Sequence, residues 1–447
     1  MTSEQPQSLL ILGNGADLYQ KYPYTYQDFF KNQYSQLCEP NSLNIKKEFH
    51  DILNQVVTYF VRNADFVRNI KDLTSEQEGL AEQLSNDIQE KMEGYPYAFC
   101  KFSILDLIFL DPKLITDNTR ISNLPDENSN WTDIESVIRI CSQNLDKSVP
   151  NDDFVIAFTA LSKTLQVINC DDDKKTSLIE LLMAPEANET ELINASFECK
   201  SNPATLYDSI NDIEAKFMLY LNENPKVKYN ERGDVQQKRA RLKNVFPANP
   251  NKTTVLNFNY TNLDFDYSDS GFDQSSSTIH PHGSLNAKRI IFGINSTNNG
   301  NPLSSKNTGF QLTKTFRGLL ERAVNSSDAI VTLPTEMEEI IFFGHSLNES
   351  DYDYFYSIFD AYNLYSSRVR LTFYYALHGD VDPSKDGEKD ADYELRCKQQ
   401  IQDEQVFPIT KLINSYGESM NNSDHGNNLL HRLLLEGRIR VLNIDTV

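Results

Sequence analysis

The chain has 447 residues and a formal net charge of −22, and it contains no apolar run long enough to span a membrane. So negative a surface repels nucleic acid and anionic lipid, which argues against both as partners. The six cysteines are scattered without a Cys-x-x-Cys pair, and the N-terminus lacks the basic segment of a signal peptide. We therefore expect a cytoplasmic protein with no membrane contact, no disulfide framework and no metal site.

Near its start the chain carries a short apolar run that ends in a glycine turn, SLLILGNG. Such a run is typical of a parallel strand that is buried on both faces. Gly13 and Gly15 permit positive φ and let a ligand approach the backbone, and a glycine turn after a first strand is the usual way to present N–H groups to a diphosphate. Asn14 and Asp17 add polar groups beside the turn. The third glycine of dinucleotide-binding motifs is missing, so an ordinary tight turn is the alternative.

Across residues 25–244 the apolar side chains recur at helical spacing, and little strand character is present. The spacing predicts helices that include residues 49–60, 102–110, 154–168 and 210–221. One run in this segment, WTDIE, holds the single tryptophan, Trp131. Asp133 and Glu135 would point to different faces of a helix, so they do not form an acid/base pair of their own. They are either an acidic helix N-terminus or part of the lining of a cleft.

Strand-like runs return after residue 244, and three of them end in polar residues. The run TTVLNFNYT delivers Asn259, and the run TIHPHG delivers His282. A third run, EIIFFGHSL, ends in a turn made of Gly344, His345 and Ser346. Asparagine and histidine are also common turn residues, so each motif taken alone is ambiguous.

The rest of the C-terminal half alternates between strands and helices. Further strands are predicted at 288–295, 369–378 and 438–443, and helices at 303–325 and 429–435. The helix after Ser346 is expected to be capped by Asn348 or Ser350 and to carry Asp351 in its first turn.

This alternation predicts an α/β fold, a Rossmann-like, mostly parallel sheet with flanking helices, interrupted by a large α-helical insertion. We assign residues 1–24 and 245–447 to a discontinuous nucleotide-binding domain and residues 25–244 to the insertion. Ligands of such sheets bind outside the carboxyl ends of the strands, which is where the polar residues singled out above converge.

Taken together, the motifs GNGADL, WTDIE, NFNYT, HPHG and FFGHSLNESD resemble those of the AbiH family of bacteriophage abortive-infection proteins. The order and spacing of the motifs cover nearly the whole chain. One minor departure is Ala16, where the family usually has a bulky residue. AbiH sequences are in turn similar, at a distance, to the sirtuin-like NAD-binding fold.

The resemblance implies roles for particular residues. Asn259 matches the catalytic asparagine of the sirtuin-like fold, and His282 matches its catalytic histidine. The residues implied in binding the nucleotide, together with their polar neighbours, are Gly13, Asn14, Gly15, Asp17, Gly344, His345, Ser346 and Asp351. Sirtuin deacylases hold a structural zinc with two cysteine pairs that this chain lacks. The resemblance therefore favours relatives that hydrolyse NAD over those that deacylate proteins.

Three functions are compatible with these patterns to different degrees. The first is an enzyme that hydrolyses NAD to nicotinamide and ADP-ribose in response to a phage-derived trigger. The second is a non-catalytic NAD- or ADP-ribose-binding module that controls a partner, in which Asn259 would only bind. The third is a nuclease, which the net charge of −22 disfavours. The predicted insertion would cover the cleft and carry a sensor or a surface for homo-oligomer formation.

The spacing of His280 and His282 also suits two metal ligands, but no third ligand is evident in the sequence. We therefore expect NAD as substrate or ligand and no metal, with His282 acting as a base.

Overall fold

A computed structural model places the following parts of the chain. It describes residues 7–20, 22, 24–33, 103–110, 134–144, 206–223, 241–242, 245, 252–261, 278–295, 297–298, 301–302, 308–324, 332–381, 392–420 and 428–446.

The architecture is a six-stranded sheet in which every neighbouring pair of strands runs parallel. Its strands are β1 (Gln7–Leu12), β2 (Thr253–Asn257), β3 (Thr278–Ile279), β8 (Met337–Phe343), β9 (Arg370–Tyr375) and β10 (Ile439–Asn443). Two small antiparallel pairs lie outside it, formed by β4 (Gly283–Ser284) with β5 (Arg289–Ile290) and by β6 (Thr297–Asn298) with β7 (Asn301–Pro302). The predicted α/β, Rossmann-like fold is confirmed.

Ten α-helices are described. They are α1 (Gly15–Tyr19), α2 (Tyr26–Gln33), α3 (Ile104–Leu110), α4 (Ile134–Asn144), α5 (Leu206–Glu223), α6 (Lys314–Val324), α7 (Tyr352–Ala361), α8 (Tyr393–Ile401), α9 (Phe407–Ser419) and α10 (Leu429–Leu435). None of these helices is both long and apolar enough to cross a membrane.

The central strand β1 is buried on both faces, as its continuous apolar sequence predicts. Because successive side chains of a strand point to opposite faces, Leu9 and Ile11 belong to one core cluster and Leu10 and Leu12 to the other. On the first face the sheet packs against α7, α9 and α10, and on the second against α1 and residues 242 and 245. The strand is thereby fixed in register and in direction.

The strand order is β10-β9-β8-β1-β2-β3, so the chain moves outward from β1 in one direction and from β8 in the other. This is the strand order of dinucleotide-binding Rossmann sheets, and the reversal of order falls between β1 and β8. In sheets of this kind the ligand crevice lies at the carboxyl end of the strands beside that reversal.

At the reversal the two glycine turns interlock. The N–H of Gly13 donates to the carbonyl oxygen of Phe343 at 3.1 Å, and the N–H of Gly15 donates to that of Gly344 at 2.7 Å. Among the described glycines, Gly344 has a φ of 67°, whereas neither Gly13 nor Gly15 has a positive φ. Gly13 and Gly15 therefore do not use the positive φ that glycine permits. These glycines are required because the backbone of the partner turn leaves no room for a Cβ atom.

In the segment between β1 and β2 the described residues form helices α2 to α5. The predicted apolar face of α5 is confirmed, since Ile210, Ile213, Phe217 and Leu221 are all buried. The helices predicted at 49–60 and 154–168 lie outside the described residues. The division of the chain into a sheet domain and an insertion at 25–244 stays a prediction.

Two predictions differ from the structure. The run 288–295 was expected to be a strand, but Arg289–Ile290 pairs antiparallel with β4, outside the main sheet, and Ile294 forms a single bridge with Thr313. The sequence also did not predict α8 and α9, which a π-helical turn at Gln402–Val406 joins. Helix α8 has no buried residue, so it lacks the apolar periodicity that predicts a helix. Pro408 in the first turn of α9 is ordinarily a sign of a helix boundary.

Replacement of Gly344 by alanine should destabilise the fold more than the same change at Gly379. Both glycines have a φ of 67°, so both variants incur a left-handed backbone penalty of about 1–2 kcal/mol. Only at Gly344 would the new Cβ collide with backbone, that of Gly15 and Ala16, which adds roughly 1–3 kcal/mol. Urea unfolding of the two variants measures the difference, and equal losses would contradict the interlocked turns.

Candidate functional site

Asn259 lies two residues beyond the end of β2, where its side chain is buried against the first glycine turn. Its Nδ2 donates to the carbonyl oxygen of Gly13 at 3.0 Å, and its own N–H donates to Oδ1 of Asn257 at 3.0 Å. The amide is thereby held in one orientation at the carboxyl edge of the sheet. Within the part of the chain that the structure describes, no residue donates to its Oδ1, which remains an acceptor.

Asp17 supports the same edge from α1. Its Oδ2 accepts a hydrogen bond of 2.6 Å from the hydroxyl of Thr261, and Asn257 Nδ2 donates to the carbonyl oxygen of Thr261 at 2.9 Å. Asp17 is buried, so this contact anchors the segment that carries Asn259. Nearby, Nδ1 of His280 lies 3.1 Å from the carbonyl oxygen of Asn259.

The centre of the site is the buried carboxylate of Asp351. Its Oδ1 lies 3.2 Å from Nε2 of His282 and 2.7 Å from Nζ of Lys314, and its Oδ2 lies 3.4 Å from Nε2 of His345. These four side chains are all at most 10% exposed. The contact with His282 lacks hydrogen-bond alignment, so Nε2 of this imidazole has no hydrogen-bond partner.

The tautomer of His345 follows from its neighbours. The backbone N–H of Leu347 donates to Nδ1 of His345 at 2.9 Å, so in the neutral ring the proton lies on Nε2, facing Asp351. The turn after β8 thus folds back on itself and positions His345. Asn348 caps the following 3₁₀ turn by accepting from the N–H of Ser350, as one of the two predicted caps.

Lys314 and Glu135 complete the cluster, although neither was among the predicted site residues. Lys314 is the first residue of α6 and is 3% exposed, and its Nζ lies 2.6 Å from Oε1 of Glu135 on α4. Both interpretations of the run WTDIE agree with Glu135, which lies in the first turn of α4 and also contacts Lys314 in the site. Trp131 and Asp133 lie outside the described residues. In the sequence, Lys314 is indistinguishable from an exposed lysine at the start of a helix.

Aromatic rings exclude water from the cluster. The ring of Phe258 lies 5.1 Å from that of His282, 4.8 Å from that of His345 and 5.5 Å from that of Tyr354, each measured between centroids. The low polarity of these neighbours strengthens every charge–charge interaction in the cluster.

The charges and the burial set the protonation states. Burial and the nearby ammonium of Lys314 lower the pKa of His282 below its ordinary value, against the opposing effect of Asp351. Burial raises the pKa of Asp351, but Lys314 and His282 outweigh it and bring that pKa well below the usual range. Burial likewise opposes the charge of Lys314, but Glu135 and Asp351 raise its pKa. At neutral pH the site therefore holds a neutral imidazole, a carboxylate and an ammonium.

The two glycine turns were predicted to bind a diphosphate through their N–H groups. The N–H groups of Gly13 and Gly15 donate within the protein, to the carbonyl oxygens of Phe343 and Gly344, and the role of the two turns in nucleotide binding stays a prediction. Asn14 and Ser346 are exposed beside the interlocked turns, and Gly344 is partly exposed. His282, His345 and Asp351 come together at the edge of the sheet. Asn259 follows Phe258, whose ring contacts both imidazoles, and Asp17 anchors the segment that carries it.

Among the described residues no group of three or more histidine, cysteine, aspartate or glutamate side chains is arranged to hold a metal ion. The space between Asp351 and Glu135 is occupied by the ammonium of Lys314. The two histidines of the HPHG motif also have different partners, Asn259 for His280 and Asp351 for His282.

A family model described as bacteriophage abortive infection AbiH matches residues 9–375, which is most of the chain. No curated protein and no solved structure matches the chain. The chain belongs to the AbiH family, and this membership implies a role in abortive infection by bacteriophage.

Replacement of Asp351 by asparagine should lower the free energy of unfolding by about 1.5–3 kcal/mol at pH 7, because it removes one of the two carboxylates that balance the buried ammonium of Lys314. The folded-state pKa of Asp351 is depressed, so its contribution is fully present at pH 7 and is lost only as the pH falls through that low pKa. The control is Glu338→Gln, which removes a half-exposed ion pair with Arg370 and should cost less than about 1 kcal/mol. Similar losses in urea unfolding would contradict the central place of Asp351.

Proposed function

We propose that this AbiH protein hydrolyses NAD to nicotinamide and ADP-ribose when phage infection activates it. The observation that carries the proposal is the contact between His282 and Asp351, with Phe258, the residue before Asn259, packed against His282, beside the strand-order reversal. Dinucleotides bind at this place in sheets of this order.

The reaction needs a group that accepts a proton. The bond between C1′ of the ribose and the nicotinamide nitrogen breaks, its electron pair leaves with nicotinamide, and C1′ acquires the character of an oxocarbenium ion. A water molecule then adds to C1′ and loses a proton. His282, whose pKa lies below its ordinary value, is neutral at pH 7 and can accept that proton.

Asp351 stabilises the product of this proton transfer. The imidazolium that forms on His282 would have the carboxylate oxygen at 3.2 Å, so the charge on the ring is balanced without a large rearrangement. Asp351, first predicted to bind the nucleotide, thus has a second role beside the base.

Asn259 positions the reacting groups. Because its Nδ2 is hydrogen-bonded to Gly13, the amide presents its Oδ1 to a ribose hydroxyl or to the attacking water. With the N–H groups of Gly13 and Gly15 engaged, recognition of the nucleotide falls to side chains and to other parts of the backbone around the site.

The test is NAD turnover by the purified full chain, with and without lysate of phage-infected cells. His282→Ala should lower kcat by about 10²–10⁴-fold through loss of the base. Asn259→Ala should lower it by about 100-fold through loss of positioning. Chromatography of nicotinamide and ADP-ribose measures both effects.

The matched control is His378→Ala, which removes an imidazole that is 63% exposed and paired with Glu404 outside the site. This variant should retain wild-type turnover. NAD or ADP-ribose that stabilises the protein against heat without any turnover would replace this proposal with a binding module. No turnover and no stabilisation would exclude both.

A further inference from the structure

The proposed reaction leaves the buried Lys314 without a role. It is almost fully buried, and its ammonium lies between two carboxylates that come from distant parts of the chain. Glu135 belongs to α4, in the segment between β1 and β2, and Asp351 follows β8. A buried ammonium is stable only where carboxylates of this kind balance it, so its place in the site is fixed by both.

Lys314 and His282 share one oxygen atom. Oδ1 of Asp351 lies 2.7 Å from Nζ of Lys314 and 3.2 Å from Nε2 of His282. When His282 accepts a proton, two positive charges must be balanced by this carboxylate together with Glu135. The more of the positive charge of Lys314 that Glu135 balances, the more of the negative charge of Asp351 remains to stabilise the imidazolium of His282.

We propose that Lys314, held by Glu135, is a positioning residue for His282, and that helix α4 thereby sets how readily His282 accepts a proton. The inference rests on the proposed role of His282 as the base, and it extends that role to regulation of the same site.

The groups that face His282 come from five elements. They are Asp351 from the 3₁₀ turn, Lys314 from α6, Glu135 from α4, Tyr354 from α7 and His345, which shares Asp351, from the end of β8. Tyr354 stays neutral near pH 7, because burial raises its pKa to about 12. Lys314 lowers the pKa of His282, whereas Asp351 and Glu135 raise it. Lys314 and Glu135 thus act on the same imidazole in opposite directions.

The packing of α4 lets this helix control the position of Glu135. Its apolar face is buried through Ile134, Val137, Ile138 and Cys141, so any displacement of the helix would carry Glu135 with it. If a displacement of α4 moved Glu135 away, Asp351 would be the only carboxylate left to balance the ammonium of Lys314. The imidazolium of His282 would then be disfavoured and proton acceptance slowed. The position of α4 in the described structure is the one that supports the base.

The test is a pH titration of His282 by NMR on the full chain with isotope-labelled histidine, its signal assigned by its loss in His282→Gln. Lys314→Met should raise the pKa of His282 by about one unit, because it removes the repelling charge. Glu135→Gln should lower it by a similar amount, because the charge of Lys314 is then less balanced. Lys314→Arg keeps the charge and should leave the titration close to that of the wild type.

If Lys314 and Glu135 only stabilised the fold, Lys314→Met and Glu135→Gln would not shift the pKa of His282 in opposite directions. Shifts in the same direction, or none, would overturn the inference. Should Lys314→Met fail to fold, Glu135→Gln decides alone, since only a lowered pKa agrees with the inference. Glu338→Gln, a half-exposed charge paired with Arg370, is the control that should leave His282 unchanged.

The NMR result does not depend on turnover, so it separates this inference from the proposed function. If NAD is hydrolysed, the acidic limb of the kcat profile should move to higher pH in Lys314→Met and to lower pH in Glu135→Gln. Opposite shifts in the NMR titration without any NAD hydrolysis would refute the proposed reaction and leave the coupling to α4 established.

Discussion

The site depends on one buried carboxylate, that of Asp351. A carboxylate removed from water is stable only when positive charge and hydrogen-bond donors surround it, and Lys314 lies at its oxygen with His282 and His345 close by. Each of these partners is fixed by another contact, Lys314 by Glu135 and His345 by the N–H of Leu347. The turns after β3 and β8 and the starts of α4 and α6 must therefore meet at one point, and this requirement defines the geometry of the whole cleft.

The interlocked glycine turns make that meeting possible. They bring the ends of β1 and β8 so close that backbone touches backbone, and Asn259 reaches across to the carbonyl oxygen of Gly13. Because of the same closeness, the N–H groups of Gly13 and Gly15 donate to β8 and its turn. A glycine turn after a first strand therefore serves two different purposes in α/β sheets, cradling a phosphate or packing two turns together, and here it packs.

Local sequence was enough to predict the strands of the main sheet and the placement of Asn259 and His282. Short apolar runs that end in glycine or polar residues carry that information by themselves, and parallel strands bring their carboxyl ends to one edge. Lys314 could not be predicted, since its burial depends on carboxylates from α4 and from the turn after β8. Helix α8 was not predicted for a related reason, because a helix without buried residues has no periodic pattern of apolar residues in its sequence. The contacts that join distant elements were the part the sequence did not reveal.

The balance of charge in the site distinguishes between the chemistries that the sequence left open. Of the side chains that form or support it, Asp17, Glu135 and Asp351 are carboxylates, and Lys314 is the ammonium placed among them. Such an excess of negative charge, shielded from water by Phe258 and its neighbours, favours a transition state that gains positive charge. Cleavage of the nicotinamide–ribose bond develops positive charge on the sugar, whereas phosphodiester hydrolysis concentrates negative charge on the phosphate. This charge balance supports the proposed glycosidic reaction over a nuclease reaction.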